Sequence, residues 1–273
     1  MAVAVLFLVS FSRFLEAAGP KQETVRAWDE YTQIVDLRLV QNASSENPFL
    51  WIDESHDLAG RVRQNEVVVT DHDPRNIPQG MIHHWIGAVF VPNATLDQAL
   101  TVVEDFDRYS DFYKPLFSKC TVLARDGDQA TLNVVAAQKV FSVTAAVDTE
   151  DQVKIVRLGP KTAYLTNNAV RIQEIADYGQ PTQHPFSESR RPGYVWRQIG
   201  IERLEERDGG VYVELETIVL SRSIPAGFHW LIKPLADELP RKLMRDTLSD
   251  TRTAILQEAS LSRSQRAASS ESR

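Results

Sequence analysis

The sequence predicts an α+β domain, a curved antiparallel sheet closed by one long C-terminal helix. Three observations predict it. Asp208-Gly209 is a two-residue turn signal, because both positions of a tight hairpin turn require positive φ. The strand that follows, 211–221, alternates: Val211, Val213, Leu215, Thr217 and Val219 share one face, and Tyr212, Glu214 and Glu216 the other. One buried and one wet face are expected of it. Beyond it Leu231, Leu235, Leu239 and Leu243 recur every fourth residue, and Leu248 and Ile255 extend the stripe, which is the pattern of a helix covering a sheet. Pro234 and Pro240 interrupt that run, so a short helix followed by a main helix, with Pro240 in its first turn, is expected. A sheet curved around one helix is a way to make a hollow core.

The remaining elements follow in chain order. Thr24 to Val40 has helical spacing, with Ala27, Trp28, Tyr31, Ile34, Val35 and Leu39 near one face. Phe49 to Ile52 is a short apolar piece, Val67 to Thr70 a strand, and Asp71 to Gly80, with Pro74 and Pro78, a turn or linker where the domain boundary is placed. Met81 to Val91 reads as the first strand of the main domain. Thr95 is a suitable N-cap for a helix carrying Leu96, Ala99, Leu100, Val103 and Phe106, and a second short helix spans Asp107 to Tyr113. Strands are then expected at 117–124, 129–137, 140–147, 153–158, 162–175 and 194–206, with turns at Asp126-Gly127 and Asp148 to Asp151. Asp177 to Gly193 is an excursion rich in Pro, Ser and Arg, a surface loop or flap. The division expected is 1–20, signal peptide or apolar N-terminal helix; 21–79, helical extension and linker; 80–258, main domain; 259–273, a disordered Ser/Arg/Ala-rich tail.

With 273 residues and 43% hydrophobic composition, the chain can bury one large core. A net charge of −7 argues against nucleic acid as a partner, because nucleic-acid binders carry a basic face. The single cysteine, Cys120, allows no internal disulfide and reads as a small core residue. The apolar start, with Ala17-Ala18-Gly19 offering small residues near a cleavage point, resembles a secretory signal peptide, although no basic residue precedes it. Export, to a periplasm or outside the cell, is the favoured expectation; a cytoplasmic protein with a frayed apolar N-terminal helix is the other.

Leu100 to Lys119, Tyr194 to Leu220 with its Trp196-Arg197, and Ile224-Pro225-Ala226-Gly227 together resemble the START-like superfamily, also called birch-pollen-allergen-like or polyketide cyclase/lipid-transport. They match its two-helix segment ending in Pro, its penultimate hairpin and the start of its final helix. Pro48-Phe-Leu-Trp and Gly80-Met-Ile-His-His-Trp-Ile-Gly resemble a bacterial subgroup of it. The resemblance covers about two thirds of the chain. It implies a helix-grip fold and, less specifically, uptake of a hydrophobic or amphipathic small molecule such as a lipid, isoprenoid or polyketide.

No P-loop, dinucleotide fingerprint, His-Glu-x-x-His or Gly-x-Ser-x-Gly occurs, and no cofactor is expected. Candidate ligand-binding residues are therefore polar or aromatic side chains set among apolar ones. His84 shares a face with Ile82, Ile86, Ala88 and Phe90; it is either a ligand or acid/base group on the inner wall or a core histidine satisfied by backbone. Arg197, in line with Val195, Ile199 and Ile201, either anchors an acidic head group or forms a surface ion pair. Tyr109, Phe112 and Tyr113 would border the cavity mouth by the superfamily's layout, or simply pack, and Asn133 would add a polar contact or face water. The acids and histidines at 53–57 and 71–73 read as solvated surface with no metal-ligand spacing. The expected function is binding of a hydrophobic small molecule, as carrier or sensor, with transient membrane contact. A cyclase, aromatase or dehydratase and a filled-core interaction domain are the alternatives.

Overall fold

The structure is a computed structural model, and it describes residues 19–44, 47–140, 143–185, 194–223 and 229–271. The signal-peptide reading of the N-terminus, residues 186–193 of the expected 177–193 flap and the Ile224 to Gly227 segment fall outside those residues.

Helix α1 (Gln22–Ala43), a 3-10 turn (Trp51–Glu54) and helix α2 (His56–Arg63) lead into strands β1 (Val68–Asp71), β2 (Arg75–Ile77) and β3 (Gly80–Pro92). Helix α3 (Leu96–Val103), a second 3-10 turn (Phe106–Arg108) and the single-turn α4 (Tyr109–Phe112) come next. Strands β4 (Phe117–Asp126), β5 (Gln129–Val140), β6 (Val143–Arg157), β7 (Thr162–Ala176), β8 (His184–Pro185), β9 (Val195–Arg207) and β10 (Gly210–Arg222) follow, and α5 (His229–Glu271) ends the chain. The main strands form one antiparallel sheet in the order β1-β3-β10-β9-β7-β6-β5-β4, so β3 returns to pair with the last strand. This curved sheet with its long terminal helix is a helix-grip α+β fold.

Local chemistry accounts for several boundaries. Asp208 and Gly209 take φ of 54° and 78°, which gives the tight β9–β10 hairpin that the dipeptide predicts. Thr95 caps α3 by accepting from the Gln98 amide, while the Gln98 side chain accepts from the Thr95 amide, a reciprocal capping box. Two expectations fail for identifiable reasons. The Asp148 to Asp151 stretch is no turn: β6 runs straight through it, and the polar run is absorbed by a bulge between Glu150 and Asp151 against β7. The terminal helix does not break at Pro234 or Pro240 and does not end at residue 258. It continues to Glu271, because nothing after Pro240 removes a backbone donor and the tail contains no glycine.

The sheet is covered on both faces. On the inner face, Trp85, Val89, Val91, Leu132, Val134, Val153, Leu165, Leu204, Val213 and Leu215 pack with α3, α4 and the Leu239, Leu243, Leu248 and Ile255 stripe of α5. Gly87 permits a close approach of β1 and α5: a Cβ there would lie 2.8 Å from the Val68 carbonyl oxygen and 2.9 Å from Leu248 Cδ1. On the outer face, α1 buries Trp28, Tyr31, Val35 and Leu39 against Ile82, Ile201, Ile218 and Leu220. The 3-10 turn and α2 bury Leu50, Ile52 and Val62 against Val68, Ala88, Phe90 and Tyr212. Each such side chain contributes about 1.5–3 kcal/mol on leaving water, enough to hold the N-terminal segment as a brace on the sheet's back. The wet face expected of β10 is therefore dry: Glu214 and Glu216 are fully buried beneath this brace.

Candidate functional site

The inner face is not uniformly apolar. At its centre Gly200 on β9 is in register with Thr217 on β10 and Asn167 on β7, and offers no side chain between them. Glu202 lies two residues further along β9 on the same face, between Leu165 and Leu215 in register. It is fully buried, and neither of its carboxylate oxygens has a hydrogen-bond partner. Asp151, also fully buried, accepts from the Thr149 hydroxyl, yet its Oδ1 is unmet. Asn167 Oδ1 and Thr217 Oγ1 are unmet as well, and from the covering helix so is Thr247 Oγ1. An unpartnered buried polar atom costs about 1–3 kcal/mol, so this concentration on one interior surface is a feature that stability alone disfavours.

Aromatic hydroxyls and a thiol complete the surroundings. The fully buried Tyr113 hydroxyl meets Thr251 Oγ1 at 3.1 Å, and Thr251 in turn donates to the Thr247 carbonyl at 2.9 Å. Tyr109 stacks edge-on to Tyr113 at 5.2 Å and donates to the Val103 carbonyl. Burial, reinforced by charge on Glu202, holds the Tyr113 hydroxyl well above its ordinary range. Burial likewise raises the carboxyl pKa of Glu202 and of Asp151, favouring their neutral forms. Burial, with Asp151 adding to it, pushes the Cys120 thiol up to about 12, so this half-buried cysteine is not a nucleophile at neutral pH. Chemically, the interior offers two shielded carboxyls with raised pKa and several hydroxyls within an apolar shell.

Of the residues predicted from sequence, Tyr109 and Tyr113 border this interior, and Phe112 is partly buried against the same core. The other three do not. His84 points to the outer face: its Nε2 donates to Glu216 Oε1 at 2.7 Å, and its Nδ1 meets the Tyr31 hydroxyl at 2.6 Å. Arg197 is also on the outer face and pairs with Asp29 of α1 at 3.2 Å with both groups exposed, the surface ion pair that sequence left open. Regular pairing of Arg197 with Leu220 sets that face, and the bulge between Leu220 and Ser221 lies beyond it, toward Val195. Asn133 donates to the Asp148 carboxylate at 2.6 Å and to the Thr149 carbonyl, also away from the interior. The reason is common to all three: strand alternation tells which residues share a face, not which face the terminal helix covers.

His84 instead belongs to a buried charge network under the brace. Arg203 bridges Glu214 at 3.1 Å and Glu216 at 2.7 Å, and Arg38 of α1 also pairs with Glu216 while its second nitrogen meets His72 Nε2 at 3.0 Å. Burial raises the Glu214 carboxyl to about 7, whereas Arg203, His84 and Arg38 together overcome burial at Glu216 and hold it far below the usual carboxylate range. The acids in the N-terminal loops are engaged similarly at the surface, Asp53 with Arg207 at 2.6 Å and Asp73 with Arg75 at 2.7 Å.

Sequence reasoning missed Glu202, Asn167, Thr217 and Thr247. The only signal was the even-numbered run Gln198, Gly200, Glu202, Leu204 on β9, which by itself reads as a solvent face.

No family model matches this chain, and no curated protein does. Solved structures are similar to it in fold. Human StAR-related lipid transfer protein 5 shows 9% identity over 85% of this chain and 98% of its own, with a TM-score of 0.47. The Zhui aromatase/cyclase of Streptomyces shows 15% identity over 66% and 94%, TM-score 0.39. The STAR-related lipid transfer protein of Xanthomonas axonopodis shows 15% identity over 68% and 98%, TM-score 0.41. The helix-grip topology itself is read from the strand order and terminal helix of this chain. No helix among the described residues is long and apolar enough to cross a membrane.

Proposed function

We propose that the interior between the inner sheet face and α5 binds an amphipathic small molecule, as carrier or sensor. Its apolar body packs on Trp85, Leu132, Val134, Leu165 and Leu215, and its polar group meets the oxygens around Gly200. The observation that carries this reading is the set of buried, unpartnered polar atoms on Glu202, Asn167, Thr217 and Thr247, all on the surface that α5 encloses. A solid core of the same shape is more stable with apolar side chains there, so their presence points to a ligand that satisfies them. Burying an alkyl body contributes about 0.8 kcal/mol per CH₂, so few polar contacts are needed for tight binding.

The test is native mass spectrometry of the purified protein, repeated after organic extraction and after exposure to a panel of single-chain amphiphiles. An adduct of defined mass that extraction removes supports the reading; no adduct and no uptake from the panel refutes it. One observation favours catalysis as a second reading. A carboxyl whose pKa burial raises, near two tyrosines, is the equipment of a general acid, as a cyclase or dehydratase would need. Turnover of the extracted molecule that is lost in Glu202→Gln while binding persists would establish it.

A further inference from the structure

The unmet atoms of the interior have one chemical character. They are Glu202 Oε1 and Oε2, Asp151 Oδ1, Asn167 Oδ1, Thr217 Oγ1 and Thr247 Oγ1: oxygens throughout, with no nitrogen among them. Carboxylate and amide oxygens only accept unless protonated, and a threonine hydroxyl accepts as readily as it donates. Neither Arg203 nor Arg197 of β9 serves it: Arg203 faces the brace between two glutamates, and Arg197 is on the surface with Asp29. Among the described residues, the two carboxyls nearest Gly200 therefore have no cationic side chain paired with them. A ligand entering this surface must bring donors, and one bearing a carboxylate or phosphate would bring further acceptors and negative charge into a dry site.

Resting on the interior-binding reading above, we infer that the ligand is a long-chain primary amine or amino alcohol, its ammonium seated at Glu202 with Asp151, Asn167, Thr217 and Thr247 around it. An ammonium suits the site in three ways. It carries three N–H donors and no acceptor. It offers the charge that Glu202 lacks, and a charge-assisted hydrogen bond is roughly twice as strong as a neutral one. Its alkyl chain extends over the apolar strands on either side. Gly200 places no side chain between Thr217 and Asn167 in register.

A coupled proton follows. Burial favours the neutral Glu202 carboxyl in the free protein. When an ammonium binds, the carboxyl ionises against it, so the protonated acid and the ammonium yield an ion pair and one released proton. Binding of the amine should therefore strengthen as pH rises toward the raised pKa of Glu202, whereas a long-chain alcohol should show no such dependence.

The test is isothermal titration calorimetry of the full chain with dodecylamine, dodecanol and dodecanoate, each in two buffers of different ionisation enthalpy. The expected result is amine bound at least about tenfold more tightly than dodecanoate, with release of up to about one proton that the alcohol does not show. Glu202→Gln should abolish the proton release and bring amine and alcohol affinities together. Since the wild-type buffer comparison reads proton release without any mutation, the inference stays testable if that variant fails to fold. Dodecanoate binding as tightly as the amine, or amine binding with no proton released, overturns the assignment of the head group while leaving interior binding standing. If none of the three probes binds, the interior-binding reading falls, and the head-group assignment with it.

Discussion

Replacing Arg203 with methionine isolates the charge network beneath the N-terminal brace. Arg203 is 2% exposed and lies between Glu214 and Glu216, both 0% exposed, at 3.1 and 2.7 Å. The two carboxylates are not left equally. Glu216 keeps Arg38 and His84, whereas Glu214 keeps only backbone donors, the Ile52 amide at 3.4 Å among them. Removing one member of a buried ion pair costs about 3–5 kcal/mol, because the partner is stranded or must take up a proton. Methionine fills most of the volume, so little of that loss is a cavity term. For a chain of this size about 2–4 °C is lost per kcal/mol, and Tm should fall by roughly 6–20 °C at pH 7. Thermal melts followed by circular dichroism, with urea titrations for the free energy, measure it. The double variant Arg203→Met with Glu214→Gln should recover at least about 1 kcal/mol, since it removes the stranded charge along with its partner. A single variant within about 1 kcal/mol of wild type would refute the reasoning, for it would mean the carboxylates are not held by Arg203.

Two further outcomes follow from the same packing. Glu214 has a folded pKa of about 7 against an ordinary 4.5, so it contributes stability that is fully present below 4.5 and lost as pH rises through about 7. Wild-type Tm should drop between pH 5.5 and 8 more than that of Glu214→Gln, and parallel slopes would count against the assignment. Glu216, depressed instead, works in the opposite sense and loses its contribution only in acid well below that window. Gly87→Val would set new atoms against the Val68 carbonyl and Leu248, 2.8 and 2.9 Å from its Cβ, and should destabilise by about 1–3 kcal/mol in urea titration; an unchanged midpoint would show that α5 sits further from β3.

The parts of the fold that were legible in the sequence were local. The Asp208-Gly209 turn, the Thr95 cap, the β10 alternation and the leucine stripe of α5 each state a physical requirement within a few residues. The parts that were not legible depend on which element covers which face. Alternation grouped His84 with Ile82, Ile86 and Phe90 correctly, but the covering partner was α1, far away in sequence, and not α5. The same ambiguity hid Glu202, since a glutamate in an alternating strand looks solvated until both faces of the sheet are known to be buried. The Asp148 to Asp151 run looked like a turn because four polar residues resemble one, and only pairing with β7 shows a bulge.

The brace also imposes an order on synthesis. Arg38 meets Glu216 across 178 residues of chain, and Ile52 meets Glu214 across 162. At ribosomal rates of about 5–20 residues per second, the first helix waits roughly 10–35 s for the strand it will cover. During that interval Trp28, Tyr31, Val35 and Leu39 have no sheet to rest on, although they form the first apolar surface to emerge from this segment. The apolar stripe of α1 thus stays uncovered until the last hairpin closes, which exposes this segment to aggregation during synthesis.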